Sequence, residues 1–484
     1  MIMAKRCALN AKSSRLTKLS ALASLCACSL AQASGFKLTE QSLNGTALNS
    51  AYIAGAYGAD SSYYNPANMG FDEANELEVN GTMIFIPEFD FTTAGRDKGE
   101  ISTGGGAALG PNRPAGPAVV SGRANTTLAF APKIFFKTKP WHIGSFFKTN
   151  FGLSLTAPSG LSMDWDGEGG EFLDKVGIMM IETNPVVSIT LWDRLGLAAG
   201  ARIIYGSGDF GNTLYVPYRA DNAMGMGLNI SGTTKVQQQS KTSAVGYGYN
   251  VALTLKPTPS TTLAATYRSK VHFDMKGKLS ATSHIDGGIL AGKGTVDMQA
   301  DLLLSTHLPD TLNVALAQRL GKLLAEFTYE HTFWGSADIF EFQYSNQEFS
   351  NAQGFNPGVE NTVIAMAYQN MAGADYNAVA MGRGWKNSNA FRLGFTHFST
   401  QNLTLMGSLA LDFTPVPQGR DKFGIPDANA YMLGLGARYN LFDGRADVGL
   451  AYSLALKDNR ESFIQSKDGL GQLHLVTLGA KYRF

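Results

Sequence analysis

From Val476 to Phe484 the chain alternates apolar and polar side chains one for one, ending on an aromatic. Val476, Leu478, Ala480, Tyr482 and Phe484 share one parity; Thr477, Gly479, Lys481 and Arg483 share the other. A strand sends successive side chains to opposite faces, so this segment reads as a strand with one greasy side and one wet side. The same period returns in Leu195–Tyr205, Tyr247–Leu255, Phe391–Phe395, Tyr431–Tyr439 and Val448–Leu454. In Thr262–Gly277 it places Leu263, Ala265, Tyr267, Val271, Phe273 and Met275 on one face, broken only by Ser269. Thr266, Arg268, Lys270, His272 and Asp274 fall on the other.

Such a greasy face meets either a second sheet or lipid. Charged residues are only 16% of the chain, against about 25% in soluble domains. Aromatics reach 11%, there are 54 glycines, and no mature segment is apolar for long enough to cross a bilayer as a helix. A soluble sandwich or β-helix survives that composition. The strands decide, because Tyr and Phe gather at their ends as interfacial girdles require. About 13 to 15 such segments can be counted, and the usual even number favours fourteen. This takes residues 297–319, with Pro309 inside them, as one bent strand. The expected fold is all-β: a 14-stranded antiparallel transmembrane β-barrel.

The amino terminus suits export. Lys5, Arg6, Lys12, Arg15 and Lys18 precede an apolar run from Leu19 to Leu30, and Ala31-Gln32-Ala33 supplies small residues for cleavage. Residues 1–33 read as a signal peptide. A lipid-attachment site at Leu25-Cys26-Ala27-Cys28 is the lesser alternative. All three cysteines (Cys7, Cys26, Cys28) lie in this leader, so the mature chain offers no disulfide and no thiolate. Losing the leader's five cations leaves 35 basic against 39 acidic residues, a net of −4, which argues against nucleic acid as a partner.

Residues 34–75 lack strand alternation, and the barrel proper is expected over 76–484. The early segment is dense in Ala, Gly, Ser and Asn yet carries Phe36, Tyr52, Tyr57, Tyr63 and Tyr64. A disordered tail would be less aromatic and more charged. A fourteen-strand lumen is too wide for wall side chains to fill, so an amino-terminal hatch plugging it is the better reading. Short links such as Asp193-Arg194 and Phe442-Asp443-Gly444 suit periplasmic turns. Long outer loops are expected over roughly 95–125, 158–182, 206–245, 277–296, 335–388, 413–428 and 457–471.

At this point the chain resembles the FadL/TodX-type transporters of long-chain fatty acids and aromatic hydrocarbons. The resemblance rests on Gly35-Phe36-Lys37-Leu38, Asn65-Pro66-Ala67, Thr266–Val271 before Phe273–Gly277, and Leu308-Pro309. Thr414–Pro417, Ile425–Asp427 and Leu433–Tyr439 extend it, in family order, over essentially the whole mature chain. It implies capture of a hydrophobic molecule at the outer loops, an internal pocket, and movement of the hatch. It also implies lateral release at a kink in the third strand, here after Phe151–Ala157 at Pro158, with Asn65-Pro66-Ala67 nearby. Phe36, Asn65, Pro66, Ala67 and Pro158 are the expected gating residues.

Residues 171–181 are greasy for an exposed loop, and Phe172, Val176, Met179 and Met180 fall at helical spacing as candidate substrate contacts. A loop helix that merely caps the barrel fits equally well. Arg268 and Lys270 are candidates for a substrate carboxylate. The competing reading is that lumen charges neutralise one another, Glu326 and Glu330 among them. Asp164-x-Asp166-x-Glu168-Gly169 mimics a calcium loop but has Lys175 at its twelfth position, so no metal and no cofactor is expected. The histidines show no H-E-x-x-H spacing and there is no G-x-S-x-G elbow, so no enzyme is expected.

The sequence thus points to a passive outer-membrane transporter of long-chain fatty acids or similar hydrophobes. An importer of monoaromatic hydrocarbons such as toluene is the alternative. An outer-membrane lipid hydrolase and a general porin are rivals from other classes. The expected partners are the hydrophobic substrate, outer-membrane lipid, and the barrel-assembly machinery through Phe484.

Overall fold

A computed structural model describes residues 35–93, 121–144, 146–167, 175–223, 228–286, 292–337, 339–361, 363–364, 379–382, 384–417, 427–458, 464–465 and 471–484. The leader, the Gly- and Pro-rich stretch at 104–117, Phe172, and Ile425-Pro426 lie outside these residues.

Fourteen antiparallel staves close into one barrel. They are β1 (Glu76–Ile86), β2 (Thr127–Lys137), β3 (Phe147–Gly167), β4 (Lys175–Leu191), β5 (Leu195–Ala223) and β6 (Leu228–Thr258). The next four are each made of two segments: β7 (Thr261–Arg268, Val271–Asp286), β8 (Lys293–Leu308, Thr311–Leu320), β9 (Leu323–Thr332, Ile339–Gln353) and β10 (Val379–Gly382, Ser388–Phe398). β11 (Leu403–Asp412), β12 (Ala430–Leu441), β13 (Ala446–Lys457) and β14 (Gln472–Arg483) complete the wall. Pairing of β1 with β14, from Glu76↔Arg483 to Phe85↔His474, shuts the ring. Closure gives the backbone N–H and C=O groups partners that lipid cannot supply. Two periplasmic links turn on paired residues at positive φ, Trp192-Asp193 (52° and 52°) and Phe442-Asp443 (53° and 54°). That backbone matches the twist of a tight hairpin.

The expected bent strand at Pro309 is present, and its neighbour bends with it. β8 breaks between Leu308 and Thr311, and β7 breaks between Arg268 and Val271. Arg268 faces Asn250 and Lys276 faces Ser243, so β7 spends eight steps where β6 spends seven. One extra residue reverses every side chain beyond it. Leu263 and Tyr267 therefore face outward, whereas Val271, Phe273 and Met275 point inward and are buried. Lys270, His272 and Asp274 point out.

This inversion corrects two expectations. Lys270 does not face the lumen. Nor are 158–182, 206–245 and 277–296 simply loops: β3 runs to Gly167, β4 begins at Lys175, β5 and β6 reach Ala223 and Leu228, and β7 and β8 reach Asp286 and Lys293. On β4, β7 and β8 the alternation persists there with its polarity reversed, greasy side inward (Ile178 and Met180, Leu279 and Ala281, Val296), because the outside of the wall has passed from lipid into water. Within the membrane the inward side chains are polar (Glu76, Glu78, Asn80 and Thr82 on β1); higher up they turn apolar (Ile84, Ile86).

Two substitutions test this change of solvent. Leu253→Arg, on the lipid face, should destabilise the barrel by about 2–4 kcal/mol in vesicles. His272→Arg, beyond the inversion, should leave the urea-unfolding midpoint within error. Equal losses would show that both positions meet lipid.

Candidate functional site

Residues 35–75 fold inside the barrel around two short helices, Leu43–Ala47 and Ser61–Tyr64, and a 3-10 turn, Pro66–Phe71. Ser42 caps the first by accepting from Gly45 N–H at 3.0 Å, and Asn65 caps the last by accepting from Ala67 N–H at 3.2 Å. Tyr52, Tyr57, Tyr63 and Tyr64 meet edge-on with ring centroids 5.2–5.8 Å apart. The segment packs apolar side chains such as Leu43, Leu48 and Ile53 with Phe135 and Met406 of the wall, and polar contacts anchor it elsewhere. Glu326 of β9 accepts from three successive backbone N–H groups, Ile53 (2.5 Å), Ala54 (2.8 Å) and Gly55 (2.7 Å). A Cβ at Gly55 would lie 2.7 Å from that carboxylate, so glycine is what permits the approach.

Three clusters of charge surround the segment. Glu182 lies between Arg202, at 3.0 Å, and Arg268, whose guanidinium also covers the Tyr63 ring at 4.3 Å. Glu330 takes Lys37 at 2.7 Å and Arg392 at 3.5 Å, and Arg392 reaches Asp412 at 3.4 Å. Arg438 contacts Asn44 (2.7 Å), Asp447 (2.5 Å) and Glu78. The reading in which lumen charges neutralise one another therefore holds for Arg268. Burial lowers the Lys37 pKa against the pull of Glu330, and burial together with Glu78 pushes Asp60 up to about 8.

Among the described residues the wall has a built-in gap between β2 and β3. β2 and β3 pair over Ile134–Lys137 with Gly152–Leu155, then part; Asn125 N–H rejoins Asp164 O at 2.9 Å. Within the gap β3 also slips one register against β4, between Thr156 and Ser159, so the kink lies at Ala157-Pro158. The interior segment fills the missing edge. Leu38 N–H donates to Pro158 O (2.9 Å), and Gly160 N–H to Phe36 O (3.1 Å). Ser159 Oγ donates to Phe36 O at 2.6 Å. The Gln41 side-chain amide both donates to and accepts from the Ala157 backbone, at 2.9 Å each way. Pro132 and Pro158, one on each lip, have no N–H to leave unpaired.

Above the gap lies an apolar chamber. Phe36 packs on Trp334 (centroids 4.9 Å) and Trp385 (6.2 Å), and joins Ile178, Met180, Met275 and Leu304 in one core. The free space among these side chains is about 10 Å³, too little for a guest, so a ligand must displace one of them. A second cavity of about 60 Å³, with room for a few waters, lies lower between Lys37, Tyr63, Pro66, Pro158, Arg268 and Glu330. Gly35 N–H donates to Asp427 at 3.1 Å, and Lys457 stands 3.3 Å from that carboxylate. Burial outweighs the lysine and pushes Asp427 up to about 7.

Of the expected residues, Phe36 and Pro158 meet at the gap. Pro66 lines the lower cavity together with Pro158, while Asn65 and Ala67 are seated on β6 and β5: Asn65 Nδ2 donates to Thr254 at 2.8 Å, and Ala67 O lies where a Cβ on Gly196 would be, 2.2 Å away. Phe36, Leu38 and Gln41 hydrogen-bond to the kink directly. Val176 and Met180 line the chamber from β4, which is a strand and not a helix, so Met179 points outward. Gln41, Lys37, Trp334, Trp385 and Glu326 were missed as site residues. The tryptophans lie in or beside a stretch read as loop, and nothing local distinguishes Gln41 from other polar residues of the plug.

The family profile described as outer membrane protein transport protein (OMPP1/FadL/TodX) matches residues 24–483. The chain is 23% identical over 212 residues to the long-chain fatty acid transport protein of Escherichia coli K12, covering 43% of this chain and 41% of that one. The Salmonella typhi protein of the same name is 24% identical over 214 residues, covering 43% and 42%. The chain thus aligns with about two fifths of the length of these curated relatives. Among solved structures it resembles a Pseudomonas aeruginosa FadL homologue (TM-score 0.66, 20% identity, 93% of this chain, 100% of that one). It also resembles the P. putida toluene transporter TodX (TM-score 0.62, 14% identity, 92% and 99%).

Two predictions follow from this geometry. Glu326→Ala leaves three buried N–H groups unpaired, at about 1–3 kcal/mol each; reconstituted barrels should then leak ions, and unchanged conductance would show another anchor dominates. Folded Asp427 (about 7) holds its proton more tightly than the free carboxyl (3.8), so its share of stability falls as pH rises from 3.8 to 7 and is flat above. Asp427→Asn should remove that slope from unfolding midpoints measured between pH 4 and 8.

Proposed function

The chain belongs to the FadL/TodX family of outer-membrane transport proteins, and on that footing we propose that it is a passive conduit for long-chain fatty acids or similar hydrophobic molecules. The observation that carries the proposal is the pairing of Phe36–Gln41 with the kinked edge of β3. The residues that floor the apolar chamber are also those that seal the wall. A guest entering from the outer side displaces Phe36 from its tryptophans. That movement draws Leu38 and Gln41 off Pro158 and Ala157 and opens a route sideways into the bilayer. Residues 34–75 then act as the hatch, with Asn65-Pro66-Ala67 as its fixed foot on β5 and β6. The polar anchoring suits motion, because water can replace those contacts as the segment shifts.

For a fatty acid, Lys37 is the cation best placed to meet the carboxylate. It sits beside Phe36 at the border between the apolar chamber and the polar lumen, and among the described residues Glu330 is the acid within 4 Å of it. Pairing of Arg268 with Glu182 favours the second reading, a neutral monoaromatic hydrocarbon that needs no cation. A family of transport proteins speaks against the lipid-hydrolase alternative.

Two experiments separate these readings. Lys37 pairs with Ser159 in antiparallel register, so Thr39 faces Ala157. A Thr39→Cys, Ala157→Cys pair should stop uptake when oxidised and restore it when reduced; uptake by the oxidised form would overturn release through the gap. Lys37→Met should lower oleate uptake several-fold and leave toluene uptake unchanged. Equal loss of both would remove Lys37 from carboxylate recognition.

A further inference from the structure

The outer face of the wall carries a feature that transport does not use. The lipid-facing side chains of β4 to β8 run in two rows by register. One is Val187, Ala199, Val251, Tyr267 and Leu312; the other is Ile189, Leu197, Leu253 and Ala265. Ala199 and Ala265 interrupt bulky neighbours, and the wall is hollowed there into an open, apolar groove of about 600 Å³. That volume matches pockets that hold ligand-sized apolar bodies. An aromatic edge closes its outer end: Tyr249 and Tyr267 stand 6.0 Å apart and Tyr247 is exposed, marking the level where hydrocarbon gives way to headgroups.

Directly beyond that edge the inversion of β7 turns cations outward. Ser269 Oγ accepts from Tyr249 N–H at 2.9 Å, and Lys270 follows it, exposed. His272 and His307 touch across β7 and β8 at 3.0 Å, and Lys276 faces the same way. The acids nearby are engaged: Asp310 accepts from the Tyr267 hydroxyl (2.5 Å) and Lys270 N–H (2.8 Å), while Asp274 holds His272 (3.0 Å) and Ser305 (2.6 Å). Lys278 is paired with Asp301 at 2.5 Å. Among the described residues, Lys270 and Lys276 make no ion pair within 4 Å.

We propose that this face binds one phosphorylated, multiply acylated glycolipid of the outer leaflet, with an acyl chain in the groove at Ala199 and Ala265, one phosphate on Lys270 and His272, and a second phosphate further out on Lys276. A neutral lipid would fill the groove but would have no use for the cations. A soluble phosphate would have no use for the groove. Only an anionic lipid uses both at the spacing found here, headgroup above the tyrosines and chain below. The site is independent of whatever passes through the lumen.

The test uses the full mature barrel in mild detergent, with native mass spectrometry to score retained lipid. The probes are bisphosphorylated hexa-acylated lipid A, its dephosphorylated form, and inorganic phosphate. The bisphosphorylated lipid should stay bound through purification, and the dephosphorylated form should be retained about tenfold less. Lys270→Gln with Lys276→Gln should weaken retention by roughly tenfold to thirtyfold, the effect of removing two interfacial cations. Ala265→Trp, which fills the groove, should abolish it. All variants should keep the heat-modifiable gel shift of a folded barrel, because the substituted side chains lie on the outer surface. Equal retention of the dephosphorylated lipid, full retention by Ala265→Trp, or displacement by inorganic phosphate would each overturn the proposal.

Discussion

A strand edge left open inside a bilayer has nothing to bond to, so a barrel wall tolerates a gap only if the protein itself supplies the missing partner. Here the partner is the run from Phe36 to Gln41, laid against Ala157–Gly160. Everything else about the interior is arranged around keeping that run in place. Glu326 holds the following loop, Asn65 fixes the far end, and Asp427 takes Gly35 at the outset. The gap and its closure are one structure. Neither β3 nor the interior segment is complete without the other.

The kind of contact matters as much as the number. A plug packed by apolar side chains would resist withdrawal, because each would have to be exposed to water. Carboxylates, arginines and amides exchange one set of hydrogen bonds for another at small net difference. The buried ion clusters are thus specific without being adhesive: removing one partner strands a charge, whereas water can replace both. Phe36 and Leu38 at the leading end belong to the apolar core that lines the chamber, so that end meets an apolar competitor first, while Leu43, Leu48 and Ile53 pack with Phe135 and Met406 in a separate core.

Much of the fold was legible because a period of two cannot be mistaken over many segments. Local pattern gave about 13 to 15 strands and the bent one at Pro309; the even number usual in barrels narrowed the count to fourteen, and an aromatic segment beside a wide lumen put Phe36 inside. The misplacement on β7 arose at one point. Reading Thr262–Gly277 as a single face was correct up to Arg268 and inverted after it, since nothing in Arg268-Ser269-Lys270-Val271 declares an inserted residue. Lys270 was misplaced for that reason alone. Val176 and Met180 were read as the apolar face of an exposed loop helix, because an apolar row beyond the membrane was not expected to be the inner row of a strand. Gln41, Trp334 and Trp385 act through partners more than 40 residues distant in sequence. Such pairings leave no trace in any one segment.

The polarity reversal on β7 and β8 also bears on how the chain is assembled. Below the inversion the staves are satisfied once lipid surrounds them. Above it, Val271, Phe273, Met275 and Leu304 find an apolar environment only when the upper staves have met one another on the far side of the membrane. Until then they cross as exposed grease on strands whose other face carries Lys270, His272 and Asp274. The upper barrel must therefore fold last and by a different driving force. Its stability is that of a water-soluble β-protein, rising and fading with temperature as hydrophobic burial does, while the lower barrel answers to the bilayer.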